Sequence, residues 1–384
     1  MKPQLLTEIS VVGLQQVIEA LSESGEVHSI LVFAADENGW TAEQLDPLLQ
    51  SSDIQILGGI FPQIIHEGQN YTQGTVLLPL PYVLDWSVIP GLSDAAADFD
   101  TPLAGLADQW DRLPGPATHM VFVDGLSTCI ATFIEAIFMN LGLEQNYLGG
   151  GAGSLSFVQK PCLITPRGLI QDAALLMRLP MLSGIGVSHG WQPISEPFKV
   201  TESNKNHVMT LDWKPAFEVY RQVVEAHSGQ TFTEDNFFDI AKSYPLGISK
   251  LDAEVIVRDP LMLKEGQGMI CVGEVPEGSF VRILNGTAES LIGAAAEAHQ
   301  QAEKAYTQIS SAAPEFGCLI DCISRVLFMQ TRILEEFTAV SGDYPMFGAL
   351  TLGEIANSGQ DYLEFYNKTA VLGLLSTSSD SVTE

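Results

Sequence analysis

The sequence predicts a mixed α/β protein with two pseudo-repeated domains, each made of mixed β-sheets flanked by helices. Three segments of the chain support this prediction, because each contains an apolar strand-like run, a helix-like stretch, a glycine motif and a second apolar run. Strands and helices that alternate in this way are typical of α/β folds. The glycine motifs, which predict backbone turns, are Gly58-Gly59, Gly149-Gly150 and Gly348. Duplication of one unit is the simplest explanation.

The elements of the three segments follow from their apolar patterns. In the first segment, residues 29–33 predict a strand, 41–49 a helix and 75–78 a further strand. The corresponding ranges are 119–123, 129–140 and 173–176 in the second segment, and 317–320, 324–336 and 369–374 in the third.

The intervening sequence predicts connections and a further set of strands. Residues 85–116 predict a loop with a short helix, and 206–227 a longer amphipathic helix preceded by a strand, with Pro215 in its first turn. A hairpin is predicted over 268–284 by two apolar runs joined through Pro and Gly. Residues 288–310, rich in Ala, Glu and Gln, predict a helix.

Charge and composition exclude several classes of function. The 384 residues carry a formal net charge of −29, which repels nucleic-acid phosphates and anionic membrane surfaces. No apolar window has the length of a membrane-spanning helix, and the first residues lack the pattern of a signal peptide. We therefore expect a cytoplasmic protein with no membrane insertion and no nucleic-acid partner. The five cysteines, which lack a Cys-x-x-Cys pair, predict reduced thiols.

No cofactor or metal is predicted. The glycine-rich run 149–153 resembles a dinucleotide fingerprint, but Ser154 stands where the third glycine is required. The histidines never occur at the spacing of metal ligands on a helix. The glycines are better explained by backbone conformation and close approach.

The most informative candidate site is the predicted passage from a strand into a helix at residues 318–325. Backbone N–H groups at a helix start and the Arg325 guanidinium could bind a small carboxylate or phosphate, and Cys322 could be a nucleophile. Glu354, after a glycine in the same segment, could bind the ammonium group of an amino acid. The alternative is structural, with a buried thiol and an arginine paired to a carboxylate such as Asp321, Glu335 or Glu354.

Other residues are weaker candidates. His189, between an apolar strand and a glycine, could be a general base or a ligand-binding residue, or a histidine satisfied within its own turn. No triad pattern accompanies it. Gly353 precedes Glu354, and Asn367 and Thr369 flank the last predicted strand.

Taken in order, these motifs resemble those of the FIST proteins, in which FIST N-terminal and C-terminal domains occur in tandem. The motifs that carry the resemblance are Gly58-Gly59, the run 149–153, His189-Gly190-Trp191, Cys322-x-x-Arg325, Gly353-Glu354 and Asn367-x-Thr369. The resemblance implies domains over 29–201 and 219–375. The polar sequence of residues 376–384 predicts a disordered tail.

The resemblance also implies a sensory protein that binds small ligands such as amino acids or small carboxylates and signals through a separate protein partner. Its ligand-binding residues would be drawn from Arg325, Glu354, Cys322, Asn367, Thr369 and His189. We expect no catalysis. The alternatives are a hydrolase or transferase that uses Cys322 with His189, and an interaction scaffold without a ligand.

Overall fold

The computed structural model describes residues 2–142, 144–233, 235–249, 255–264, 268–357 and 363–377. It confirms the predicted class, because several mixed sheets are flanked by helices. The predicted tail lies outside the described residues except for its first two, Ser376 and Thr377, which belong to a strand rather than to a disordered segment.

The first unit begins with a short edge strand and a helix. Its elements are β1 (Gln4–Leu6), α1 (Val11–Glu23), β2 (Ser29–Ala35), α2 (Ala42–Ser51), β3 (Gln55–Phe61), β4 (Gln63–His66), β5 (Gln69–Tyr71) and β6 (Thr75–Leu80). Strands β2 and β3 are parallel, and β6 pairs antiparallel with β2.

The second unit repeats this order. Its elements are β7 (Asp85–Pro90), α3 (Asp100–Trp110), β8 (Thr118–Asp124), α4 (Ile130–Leu141), β9 (Asn146–Ala152), β10 (Leu163–Thr165), β11 (Gly168–Ile170) and β12 (Ala173–Leu179). Strands β8 and β9 are parallel, and β12 pairs antiparallel with β8. The predicted loop 85–116 thus contains an edge strand as well as the expected helix.

A separate nine-stranded sheet, called here the fourth sheet, follows β13 (Met181–Ser188). Its segment contains β14 (Gln192–Pro193), β15 (Phe198–Asn204), β16 (His207–Leu211), β17 (Lys214–Pro215), α5 (Ala216–Ser228), α6 (Phe237–Ala241), β18 (Leu246–Ser249), β19 (Val255–Arg258), β20 (Pro260–Lys264), β21 (Gly268–Cys271) and β22 (Phe280–Asn285). The helix predicted from residue 206 begins only at Ala216, because Asp212 and Trp213 turn the chain with positive φ. Pro215 caps the helix rather than lying in its first turn.

The third unit completes the chain. Its elements are α7 (Ala288–Ile309), β23 (Phe316–Cys322), α8 (Ile323–Met329), α9 (Ile333–Ala339), β24 (Met346–Thr351), β25 (Glu354–Ala356), β26 (Glu364–Tyr366) and β27 (Ala370–Thr377). Strands β23 and β24 are parallel, and β27 pairs antiparallel with β23.

The three units share one register at their glycines. Gly58 lies opposite Val32, Gly149 opposite Val121, and Gly348 opposite Leu319. At all three positions an added Cβ would lie within 1.9 Å of the carbonyl oxygen of the opposite residue. The predicted turns at Gly58, Gly59, Gly149, Gly150 and Gly348 are therefore wrong: these glycines lie inside strands, where two backbones approach too closely for a side chain.

Each unit also gives a hairpin to a neighbouring unit. Strand β4 pairs with β24 of the third unit, β10 with β3 of the first, and β25 with β9 of the second. The three six-stranded sheets are consequently completed in a cycle. The domain boundaries 29–201 and 219–375 stay a prediction, and strand pairing crosses between the two ranges.

Aromatic side chains from all three units meet in one core. The Phe33 ring packs against those of Phe61, Phe122 and Phe347, with ring centroids 5.3 to 5.6 Å apart. Stacked and edge-to-face pairs of this kind add stability beyond the area they bury. This core fixes how the units face one another.

The strand glycines can be tested with Gly348→Ala. Its Cβ would lie 1.8 Å from the Leu319 carbonyl oxygen, a backbone atom, so the strands must separate. We expect the free energy of unfolding to fall by about 1–3 kcal/mol or more in urea titrations. The control is Gly293→Ala in α7, which should raise stability by about 0.5–1 kcal/mol, because no atom of the described residues beyond its own helical turn lies within 4 Å of the added Cβ. A Gly348→Ala protein as stable as the wild type would contradict the close approach.

Candidate functional site

A cavity of about 460 Å³ lies where the second unit, the third unit and the fourth sheet meet. Its wall is formed by the loop after β8, the start of α4, the β15–β16 turn, strands β20 and β21, the start of α8, and the segments around β25 and β26. A volume of this size is within the range of small-molecule sites.

Of the six predicted site residues, Cys322 and Asn367 line this cavity. Arg325, Glu354 and Thr369 are fully buried in the adjacent core. The sixth, His189, lies on a different surface.

Cys322 ends β23 and directly precedes α8. Its Sγ accepts a hydrogen bond from Ser324 Oγ at 3.1 Å. Burial, and next the carboxyl group of Glu354, raise the pKa of the Cys322 thiol well above its ordinary value. The thiol is therefore protonated at neutral pH, which is unfavourable for a nucleophile.

Arg325 is completely buried, and protein acceptors occupy all of its N–H groups. Nε and Nη2 donate to the two carboxylate oxygens of Glu336 at 2.9 and 2.8 Å. The other bonds from Nη1 and Nη2 go to the carbonyl oxygens of His189, Lys368 and Leu291. The prediction that Arg325 binds a ligand carboxylate is therefore wrong. A guanidinium has five N–H donors, and none is left for a ligand.

Asp321 completes this buried ion cluster. Its Oδ1 accepts from the Cys322 backbone N–H at 2.8 Å and lies 3.2 Å from Arg325 Nε. Burial and the neighbouring Glu336 carboxylate raise the pKa of Asp321, against the opposing effect of Arg325. The structural alternative for Arg325, pairing with a nearby carboxylate, is the arrangement observed.

Glu354 opens β25, next to Gly353, whose φ of +101° places it in a genuine turn. Its carboxyl group accepts from Thr351 Oγ1 at 3.2 Å and from the backbone N–H of Thr369 at 3.1 Å. Burial raises the pKa of Glu354 to about 8, against the lowering effect of these hydrogen bonds. The Thr369 hydroxyl donates to the Asn367 carbonyl oxygen, so both predicted residues support the turn before β27.

The dipeptides Arg258-Asp259 and Asn367-Lys368 contact each other through two side-chain interactions at the cavity wall. Arg258 Nη1 lies 3.5 Å from Asn367 Oδ1, and Lys368 Nζ lies 3.0 Å from Asp259 Oδ2. We call Arg258, Asp259, Asn367 and Lys368 the crossed pair. Three of the four, Arg258, Asp259 and Lys368, were not among the residues predicted from the sequence. The one available signal was the charged Arg-Asp step at 258–259, directly after the apolar run 255–257.

His189 is separated from Cys322. Its carbonyl oxygen accepts from Arg325, its ring Nδ1 accepts from the Trp191 backbone N–H at 2.9 Å, and the residue lines a groove between β13 and α7. Burial and next the charge of Arg325 lower the pKa of His189 to about 4. His189 is therefore a neutral histidine satisfied within its own turn, and the structure does not bring it together with Cys322.

The fold and the site define an α/β protein with a ligand-sized cavity between repeated units. Family models match the chain in tandem, the FIST N domain over residues 28–214 and the FIST C domain over 216–357. The chain belongs to the FIST family, whose domains are associated with sensing in signal transduction. Comparison with curated proteins gives no match. Among the described residues, no helix combines the length and apolar character that a membrane span requires.

The structural role of Arg325 can be tested with Arg325→Ala. Because Glu336 would remain buried without its partner, we expect the free energy of unfolding to fall by about 3–5 kcal/mol. The matched control is Arg332→Ala, which removes exposed ion pairs with Glu335 and Glu289 and should cost far less, because exposed ion pairs contribute little to stability. Equally small losses in both variants, measured by urea unfolding, would argue against a structural role.

Glu354 predicts a pH dependence of stability. Its pKa in the folded protein, about 8, is above the ordinary value of 4.5, so the folded protein keeps a proton that the unfolded chain releases between these values. Stability from this group is complete below pH 4.5 and is lost as pH rises through about 8. Glu354→Gln should therefore become more stable relative to wild type between pH 5.5 and 8, by at most about 1.4 kcal/mol per pH unit.

The measurement is urea unfolding of both proteins across this pH range. Glu196→Gln is the control, because the same chemical change at an exposed glutamate should leave the pH profile unchanged. Parallel profiles for wild type and Glu354→Gln would show that Glu354 is ionised throughout.

Proposed function

We propose that this protein is a cytoplasmic small-molecule sensor whose ligand occupies the 460 Å³ cavity. The observation that carries the proposal is that the residues of the cavity wall come from both matched regions of the chain. The wall residues 125–128, 130 and 131 come from the region matched by the FIST N domain, and the wall residues 322–324, 327 and 351–353 from the region matched by the FIST C domain. A ligand in this position contacts both regions at once.

Such a position provides a way to couple binding to a signal. A ligand shifts a conformational equilibrium only by its differential affinity for two states. A molecule that contacts the loop after β8, the start of α8 and the fourth sheet stabilises the arrangement in which all three are close. We propose that a separate signalling protein recognises that arrangement.

The lining favours a small molecule with a polar end and an apolar body. Polar groups are provided by Ser324, Thr351 and Asn367, and apolar surface by residues such as Leu327 and Leu352. Amino acids and small carboxylates are the first ligands to test. Their recognition would depend on these cavity residues, since the donors of Arg325 are already occupied.

The alternative of a thiol-dependent hydrolase or transferase has less support. Cys322 lines the cavity, but its thiol pKa is raised and its predicted base lines the other groove. Covalent catalysis by cysteine requires an accessible thiolate with a base in reach. The ligand-free scaffold makes a different prediction, that no small molecule stabilises the fold.

The proposal is tested by thermal-shift screening of amino acids, small carboxylates and small amphipathic molecules. A ligand that binds only the folded protein raises the melting temperature by mass action. Ala131→Phe, which projects a ring from α4 into the cavity, should abolish the shift. The control is Ala104→Phe, the same change at an exposed position of α3, which should bind like wild type.

Two results would contradict the proposal. A ligand whose shift survives in Ala131→Phe binds elsewhere on the protein. The absence of any shift across the library would favour the scaffold.

A further inference from the structure

We propose that Asp259 and Asn367 form a subsite for a neutral carboxamide-type group, such as a primary amide, a urea or a lactam. The inference rests on the proposed function, because both residues line the same cavity. It goes further by naming the chemical group that the cavity recognises.

Both side chains keep one polar atom without a partner. Asn367 Nδ2 and Asp259 Oδ1 are buried and form no hydrogen bond within the described part of the chain. The exposed fractions of the two residues are 1% and 3%. Buried polar groups are nearly always hydrogen-bonded, so one unpaired donor and one unpaired acceptor beside a cavity indicate a missing partner.

The crossed pair fixes the roles of these two atoms. Arg258 can only donate, so the Asn367 oxygen faces it and the amide nitrogen is left as the free donor. Lys368 takes one carboxylate oxygen of Asp259 and leaves the other as the free acceptor. Each dipeptide therefore contributes one polar atom without a partner. Its basic residue, Arg258 or Lys368, holds the side chain of the other dipeptide that carries the second unpaired atom.

The charge balance of this pair favours a neutral group. The Asp259 carboxylate is already neutralised by the Lys368 ammonium at 3.0 Å. A ligand carboxylate would offer only acceptors and would leave Asp259 Oδ1 facing a negative charge. An ammonium would offer only donors and leave Asn367 Nδ2 unpaired. A carboxamide carries an N–H donor and a C=O acceptor on adjacent atoms, which matches both.

The rest of the lining predicts the shape of the ligand. Ile323, Leu327, Leu352 and Phe365 present apolar side chains to the same cavity. A carboxamide attached to an aromatic or branched apolar body would fill the space and satisfy both polar atoms.

The test uses three matched probes, benzamide, N,N-dimethylbenzamide and benzoate, titrated into the full-length wild type by ligand-observed NMR. The dimethyl amide lacks the N–H donor, and benzoate is charged and offers only acceptors. We expect benzamide to bind at least tenfold more tightly than either. Equal affinities for the three probes would overturn the carboxamide assignment while supporting a small-molecule cavity.

A variant locates the subsite. Asn367→Asp keeps an oxygen for Arg258 but removes the free donor, and should weaken benzamide at least tenfold. Gln16→Glu introduces the same charge at an exposed position of α1, outside the cavity lining, and should change its affinity less than twofold. Equal weakening by both variants would mean a general charge effect and would overturn the assignment.

The probe series with wild-type protein decides the question even where Asn367→Asp does not fold. If none of the three probes binds, the carboxamide subsite is wrong. The library screen with Ala131→Phe then tests the sensor function separately, because it does not depend on this group.

Discussion

The buried guanidinium of Arg325 is the interaction on which the arrangement around the cavity depends. It joins the residue after β13, the start of α7, the turn before β27 and helix α9, through His189, Leu291, Lys368 and Glu336. A charge removed from water is tolerated only when its donors are satisfied, so these four segments must be positioned together. The Lys368 carbonyl oxygen also accepts the Trp191 indole N–H. These hydrogen bonds to Lys368 fix the turn before β27, which carries the cavity residue Asn367.

The exchange of hairpins explains why a cavity exists at this place. Each unit is completed by strands from another unit, so the ends of the parallel strands of different units meet rather than facing solvent. At the junction of the second and third units, Gly151 and Gly353 bring two backbones into hydrogen-bonding contact. The fourth sheet covers the remaining side. The cavity is a gap between these elements, and its polar residues come from segments that are far apart in sequence.

The sequence was a good guide where local pattern determines structure. The apolar runs located β2, β8 and β23, and the repeated glycines marked equivalent positions in the three units. The same glycines were misassigned to turns, because a glycine required for close approach of strands and one required for positive φ look alike in a sequence. Gly353, with positive φ, and Gly348, in a strand, show the two cases within one unit.

The sequence by itself determined the fold class, the repeated unit, the family and the segment around Cys322 that borders the cavity. Only the tertiary structure decided which charged groups remain available to a ligand. Arg325 and Asp259 are both charged residues next to a strand, and nothing local distinguishes them. Arg325 meets Glu336 and three carbonyl groups from distant segments, whereas within the described residues the Asp259 side chain pairs with Lys368 and keeps one oxygen without a hydrogen bond. Hydrogen-bond saturation is a property of the whole three-dimensional arrangement, which a linear pattern does not contain.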